Sequence, residues 1–80
     1  MMFYVYILQS LNFKDKFYIG YSTNLKSRIE KHNNGQVPHT SKFKPWKIKT
    51  YIAFEDNEKA TKFEKYLKSR SGRAFVKNHF

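Results

Sequence analysis

Eighty residues with a formal net charge of +10 hold material for one domain, 1–80, and for one modest core. The absence of cysteine excludes disulfides, thiolate zinc sites and cysteine nucleophiles, and no run of about 18 apolar residues exists to cross a membrane. Sixteen Lys and Arg against six Asp and Glu is an excess that a small fold does not need for stability, so it points to a polyanionic partner, nucleic acid before a membrane surface.

Phe3 to Leu8 is an unbroken apolar and aromatic run, which predicts a strand covered on both faces and central in its sheet. The segment Met1 to Gln9 lacks a basic n-region and a small-residue cleavage site, so it reads as a strand and not as a signal peptide, with a cytoplasmic location as the expectation. Asn12 and Asp15 suit a turn, and Phe17 to Tyr21 forms a second strand. The short connection makes the pair an antiparallel hairpin. Ser22, Thr23 and Asn24 offer N-caps for a helix that runs to about Asn33, where Asn34 and Gly35 stop it. Leu25 and Ile29 are its apolar stripe, with Arg28 and His32 one turn apart beside it. Gln36 to Pro45 reads as a basic loop, and Trp46 to Phe54 as a third strand. Glu55 to Glu58 places acidic groups at the start of a second long helix, where the helix dipole favours them. Ala60, Phe63 and Leu67 are that helix's buried stripe, and Glu64 lies beside it. Gly72 ends or bends the helix, and Arg73 to Phe80 adds a short third one. The order is β-β-α-β-α-α, an α+β chain.

Four features sit awkwardly for purely structural roles. Gly20 interrupts a strand, which weakens it unless another group must approach the backbone closely. Arg28, His32 and Glu64 each flank a buried stripe. Taken singly, each is an ordinary half-buried polar group with a local partner. Taken together they supply a cation, an imidazole, a carboxylate and neighbouring phenols, the set that phosphodiester cleavage needs.

These residues carry a resemblance. Tyr4-Val5-Tyr6 followed by Tyr18-Ile19-Gly20 resembles the paired signature of the GIY-YIG nuclease superfamily. The first triplet departs from it, with Tyr4 in place of Gly and Val5 in place of Ile, while Tyr6 and the whole second triplet are kept. Arg28 falls where the family has its catalytic arginine, and His32 follows one turn later where many members have a histidine. Glu64 matches the metal-binding glutamate, and Asn78 a frequent late asparagine. The likeness covers essentially the whole chain and is nearest to small stand-alone members related to the nuclease domain of the bacterial excision-repair endonuclease.

The resemblance implies a three-stranded antiparallel sheet flanked by helices and a one-metal endonuclease with a repair-type substrate. Glu64 would hold a single Mg²⁺ or Mn²⁺, Arg28 would fork to the phosphate, and Tyr6 or Tyr18 would position or deprotonate the attacking water, with His32 orienting a phenol or moving the proton. The expectation is that Tyr6, Tyr18, Arg28, His32 and Glu64 converge in one shallow site. Gly20, Lys42, Lys44 and Asn78 are the candidates for contact with the nucleic acid, DNA before RNA. No base-reading element is visible, so cleavage is expected to follow structure, or a protein partner supplying the targeting, with the protein acting as a monomer. The rival reading is a catalytically inactive nucleic-acid-binding module with the same fold. His32, His39 and His79 lack zinc-ligand spacing. Trp46, Tyr21 and Tyr51 are expected to be core or sheet-end anchors.

Overall fold

The computed structural model describes residues 1–80. Strands β1 (Phe3–Ser10), β2 (Phe17–Ser22) and β3 (Trp46–Phe54) form one antiparallel sheet in the order β2-β1-β3. Helices α1 (Leu25–Asn33), α2 (Pro38–Ser41), α3 (Asn57–Lys68) and α4 (Arg70–His79) flank it. The architecture is the α+β arrangement expected, with β1 in the centre.

β1 is central because both its faces are apolar. Alternation sends Val5 and Ile7 to one face, where Ala60, Leu67 and Val76 of α3 and α4 cover them. It sends Tyr6 and Leu8 to the other, against Trp46 of β3 and Leu25 and Ile29 of α1. α1 therefore lies on one face of the sheet and α3 with α4 on the opposite face. Lys47 and Lys49 are exposed on the edge strand β3, where charge discourages pairing with another chain.

Three differences from the sequence reading have physical causes. The basic loop contains a turn of helix, α2, opened by Pro38 at its first position, where a missing N–H costs nothing. α3 stops at Lys68, earlier than Gly72, because Ser69 takes an extended conformation. Its backbone N–H bonds back to Tyr66 while its hydroxyl caps Gly72 N, so one serine ends α3 and starts α4. Gly72 is then an interior residue of α4, buried against α3: an added Cβ would sit 2.5 Å from Leu67 Cα. The third difference is Tyr51, which is not core but 50% exposed. Tyr21 packs against the Val5–Ile7 cluster and Trp46 is buried, as expected.

A register shift explains Tyr51. Ile7 pairs with Thr50 but Leu8 pairs with Ile48, leaving Lys49 as the extra residue of a bulge. Without it, Ile48 and Tyr51 would face opposite sides of the sheet; with it, both face the α1 side, paired with Leu8 and Tyr6.

The C-terminus of α1 is tied to the start of β3. Asn33 donates from Nδ2 to the Trp46 carbonyl at 3.1 Å and accepts at Oδ1 from Trp46 N at 2.6 Å. Gly35, at φ 75°, supplies the left-handed turn after the helix. These ties fix the direction of α1, and with it the side chains it delivers to the sheet.

Candidate active site

Tyr6 and Gly20 are paired across β1 and β2, on the same face. The Tyr6 ring lies flat over the place where a side chain at residue 20 would stand. A Cβ there would overlap the phenol oxygen and its ring carbon, with Cε2 at 2.9 Å. The glycine is thus the condition for the Tyr6 hydroxyl to lie over β2 next to Tyr18, whose ring centroid is 6.3 Å from that of Tyr6.

From α1, His32 reaches into the same space. It is fully buried, and its ring centroid lies 4.8 Å from that of Tyr18. Its Nε2 is 2.8 Å from the Tyr6 hydroxyl and its Nδ1 is 2.8 Å from Thr40 Oγ1. The Thr40 hydroxyl lies 3.2 Å from the Val37 carbonyl as well as 2.8 Å from Nδ1, so the placement of its single proton sets the tautomer of the ring. With that proton on Val37, Thr40 accepts from Nδ1–H, and Nε2 is the lone pair that accepts from the Tyr6 O–H. The imidazole is held neutral: burial first, and the nearby Arg28 charge second, lower its pKa to about 4. Thr40 is itself fixed, since the indole Nε1 of Trp46 donates to its carbonyl at 2.9 Å.

Arg28 stands one turn before His32, beside both phenols. Its Nε is shielded from solvent without a hydrogen-bond partner, although the side chain as a whole is only partly buried. Hydrogen-bonding contact with Tyr6, opposed by burial, raises the pKa of the guanidinium. Burial raises the Tyr6 phenol, and the contact with Arg28 opposes that rise; the negative charge of Glu64 adds a small further push upward.

Four of the five expected residues thus meet: Tyr6, Tyr18, Arg28 and His32. Glu64 arrives differently. It belongs to α3, on the far face of the sheet, and its carboxylate pairs with Lys68 at 2.8 Å. It acts on Tyr6 through charge alone. The two faces communicate at β2, which is an edge strand. A hollow of about 680 Å³ at that edge is lined by Tyr18 from one layer, by Lys68, Arg73 and Lys77 from the other, and by the charged pair Asp15 and Lys16 before β2.

Lys42 and Lys44 are exposed on the segment between α2 and β3. Asn78 is exposed near the end of α4, and no contact ties it to the phenols. Sequence reasoning missed Thr40, which lay inside a segment read as loop. Lys62, Lys65, Lys68, Arg70, Arg73 and Lys77 are legible in the sequence as a second cationic run, but not the closeness of Arg73 and Lys77 to Tyr18, because only the turn at Ser69 brings α4 to the β2 edge. For Thr40 the available signal was the Pro38 helix start two residues earlier.

A small antiparallel sheet carrying two phenols, a neutral histidine and an arginine with one unpaired N–H on one face, with a lone carboxylate from the opposite helix, defines a nuclease-type α+β domain. Comparison with known proteins agrees: residues 2–78 match the GIY-YIG catalytic domain. The chain is 32% identical over 78 residues to the UPF0213 protein encoded in the ldhD 5′ region of Pediococcus acidilactici, covering 94% of this chain and 78% of that protein. It is 37% identical over 68 residues to a UPF0213 protein of Clostridium perfringens, covering 84% and 71% of the two chains. The solution NMR structure of a UPF0213 protein from Bacillus halodurans superposes with a TM-score of 0.59 at 31% identity, covering 98% of this chain and 84% of that one. The chain belongs to the GIY-YIG family, and within it to the UPF0213 proteins. None of its helices is long and apolar enough to cross a membrane.

Proposed function

We propose that the protein is a metal-dependent endonuclease that hydrolyses phosphodiester bonds in DNA, recognising structure and not sequence. The observation that carries this reading is the buried, unpartnered Nε of Arg28 beside the Tyr6–His32 pair. One N–H of a partly exposed guanidinium left without an acceptor is a donor that an oxyanion satisfies once it gains access, and a phosphate supplies the forked oxygens that a guanidinium matches.

The chemistry follows from the hydrogen-bond directions. In this scheme the Tyr6 proton goes to His32, and substrate binding must uncover the fully buried phenol before its oxygen holds an attacking water. As the water oxygen bonds to phosphorus, its proton passes to the Tyr6 oxygen and the Tyr6 proton passes to His32 Nε2. The phenol stays neutral throughout, and His32 ends as the imidazolium. A phosphate bound at Arg28 neutralises the charge that helps to depress His32, so substrate itself makes the imidazole a better proton acceptor. Arg28 holds the non-bridging oxygens as negative charge grows on them, and the P–O3′ bond breaks with its electron pair leaving on O3′, which takes a proton from solvent.

The donor set fits a metal of one kind. No group of three or more His, Asp or Glu side chains comes together, so the protein cannot cage a cation by itself. One mostly shielded carboxylate, Glu64, fits an ion of the Mg²⁺ or Mn²⁺ type whose remaining ligands are water and phosphate oxygens. When bound there, such an ion supplies positive charge at the phosphate and the leaving oxygen. Lys68, the present partner of Glu64, would have to swing away, and at 50% side-chain exposure it is free to do so.

Nicking of supercoiled DNA, with Mg²⁺ or Mn²⁺ and with chelator, tests the reading. Cleavage should need the metal, and Glu64→Ala should abolish cleavage while leaving DNA binding nearly unchanged. Equal cleavage by the wild type and Glu64→Ala would remove the hydrolase assignment.

A further inference from the structure

The bulge at Lys49 has aimed Tyr51 and Ile48 at the α1 side of the sheet, where nothing covers them: they are 50% and 40% exposed. They line an open groove of about 720 Å³, with Tyr4 on β1 and Leu25 and Ile29 on α1 as further apolar lining and Lys26 and Glu30 as its two charged residues. Tyr4 holds Tyr51 edge-on, with ring centroids 5.9 Å apart. Exposing large apolar side chains in this number, on a domain short of core, is costly unless something occupies the groove.

Its position indicates the occupant. Tyr51 is paired directly with Tyr6, Tyr4 lies two residues from Tyr6 on the same face, and Leu25 and Ile29 flank Arg28 along α1. The groove therefore begins where the proposed phosphate position ends. On the other side of Tyr6 and Tyr18 lies the basic hollow of Lys68, Arg73 and Lys77. Polarity changes across the sheet, from cationic at the β2 edge to aromatic at β3. A charged backbone suits the first and not the second; a flat apolar ring bearing a few polar edge groups suits the second.

We propose that the Tyr4–Tyr51 groove binds an unpaired nucleobase next to the scissile phosphate, stacked on Tyr51, and so selects DNA that has a base free of its partner at the cleavage point. The inference takes the position of the phosphate from the hydrolase reading above. It adds the substrate class, because a base held in duplex stacking cannot enter the groove, whereas a single strand, flap or mismatch offers one without the cost of unpairing.

The test uses the whole protein in chelator, so that binding is read without cleavage. The probes are a short single-stranded oligonucleotide carrying one 2-aminopurine and the same sequence as a blunt duplex. Wild type should bind the single strand more tightly and quench the 2-aminopurine. Tyr51→Ala should lose the quenching and weaken single-strand binding roughly tenfold, within the range for loss of one stacked base, with duplex binding unchanged. Tyr51→Phe should keep both. Tyr51 is half-exposed on an edge strand, so neither variant threatens the fold. Unchanged single-strand binding in Tyr51→Ala, or equal loss on both probes, overturns the proposal. So does a wild-type dimer in sedimentation that Tyr51→Ala converts to monomer, since a second copy would then fill the groove. A protein that cleaves nothing yet shows the Tyr51-dependent preference overturns the hydrolase reading alone; one that cleaves without the preference overturns this inference alone.

Discussion

One hydroxyl decides how the site is wired. With its proton on the Val37 carbonyl, Thr40 accepts from His32, and the tautomer of the ring follows. Thr40→Val keeps the shape and removes the acceptor. The expected result is a shift of the His32 ring proton away from Nδ1, seen in ¹⁵N NMR of the imidazole, together with a loss of turnover of roughly 10²-fold, the scale set by loss of one positioned hydrogen-bonding group. Thr40→Ser should restore both. His32 also gives the protein a pH signature. Its folded-state pKa, about 4, lies below the usual 6.5, so the unfolded chain binds the proton more readily. The stability gained from keeping the ring neutral is complete above about pH 6.5 and falls as pH drops toward 4, by up to about 1.4 kcal/mol per unit. Urea midpoints taken across that window should decline in the wild type and flatten in His32→Gln. If the midpoint is independent of pH from 6.5 to 4, the ring is not held neutral. Arg28→Lys should be nearly as harmful to cleavage as Arg28→Ala, since an ammonium keeps the charge without the planar fork or the buried Nε donor. Single-turnover rates near wild type for the lysine variant would reduce Arg28 to a distant charge.

Two glycines show how elements, and not single side chains, hold the site. Gly20 lets the Tyr6 ring lie over β2, and Gly72 lets α4 lie against α3. Gly20→Ala must push the phenol off His32; it should cost about 1–3 kcal/mol in urea unfolding and lower turnover at least as far as Thr40→Val does. Gly72→Ala drives a Cβ into the backbone of Tyr66 and Leu67, which cannot rotate away, so it should cost more stability while the surviving folded fraction cleaves normally. Equal effects of the two on activity per folded molecule would contradict this division. The sequence already contained much of this. The uniform apolar run of β1 announced a central strand, and a glycine inside β2 announced a close approach. What the sequence did not disclose needed tertiary partners. The Lys49 bulge depends on the register of β3 against β1, which the alternation of Trp46, Ile48 and their lysines does not encode. The early end of α3 depends on Ser69 serving two helices at once, where Gly72 offered a more conventional stop. Glu64 was legible as a residue beside an apolar stripe, but a helical wheel cannot say which face of the sheet the helix covers, and α3 covers the face away from Arg28.

At the scale of the molecule the question is where the net charge of +10 meets a polyanion. Lys42 and Lys44, on the exposed segment before β3, are the stronger candidates from sequence because loops on a rigid scaffold can close over a backbone. The structure offers a second group with better placement. Lys68, Arg73 and Lys77 line a hollow that Tyr18 also lines, and the Tyr18 ring lies beside those of Tyr6 and His32. A concave cationic surface concentrates field more than isolated lysines on a convex one. The two groups separate by salt dependence. Each phosphate neutralised on duplex DNA contributes about −0.9 to the slope of log K against log salt. Arg73→Ala with Lys77→Ala should therefore flatten the wild-type slope by nearly two, with little change in which sequences bind, because lysine and arginine at a backbone carry no base information. Lys68 is left intact in this pair so that the environment of Glu64 is not altered. The control pair, Lys42→Ala with Lys44→Ala, should change the slope by less than half as much. Fluorescence anisotropy of a labelled duplex from about 50 to 200 mM salt, in chelator, resolves a difference of that size. If the control pair flattens the slope and the α4 pair does not, DNA crosses the protein over the α2–β3 segment, and the hollow at the β2 edge is not its path to the phenols.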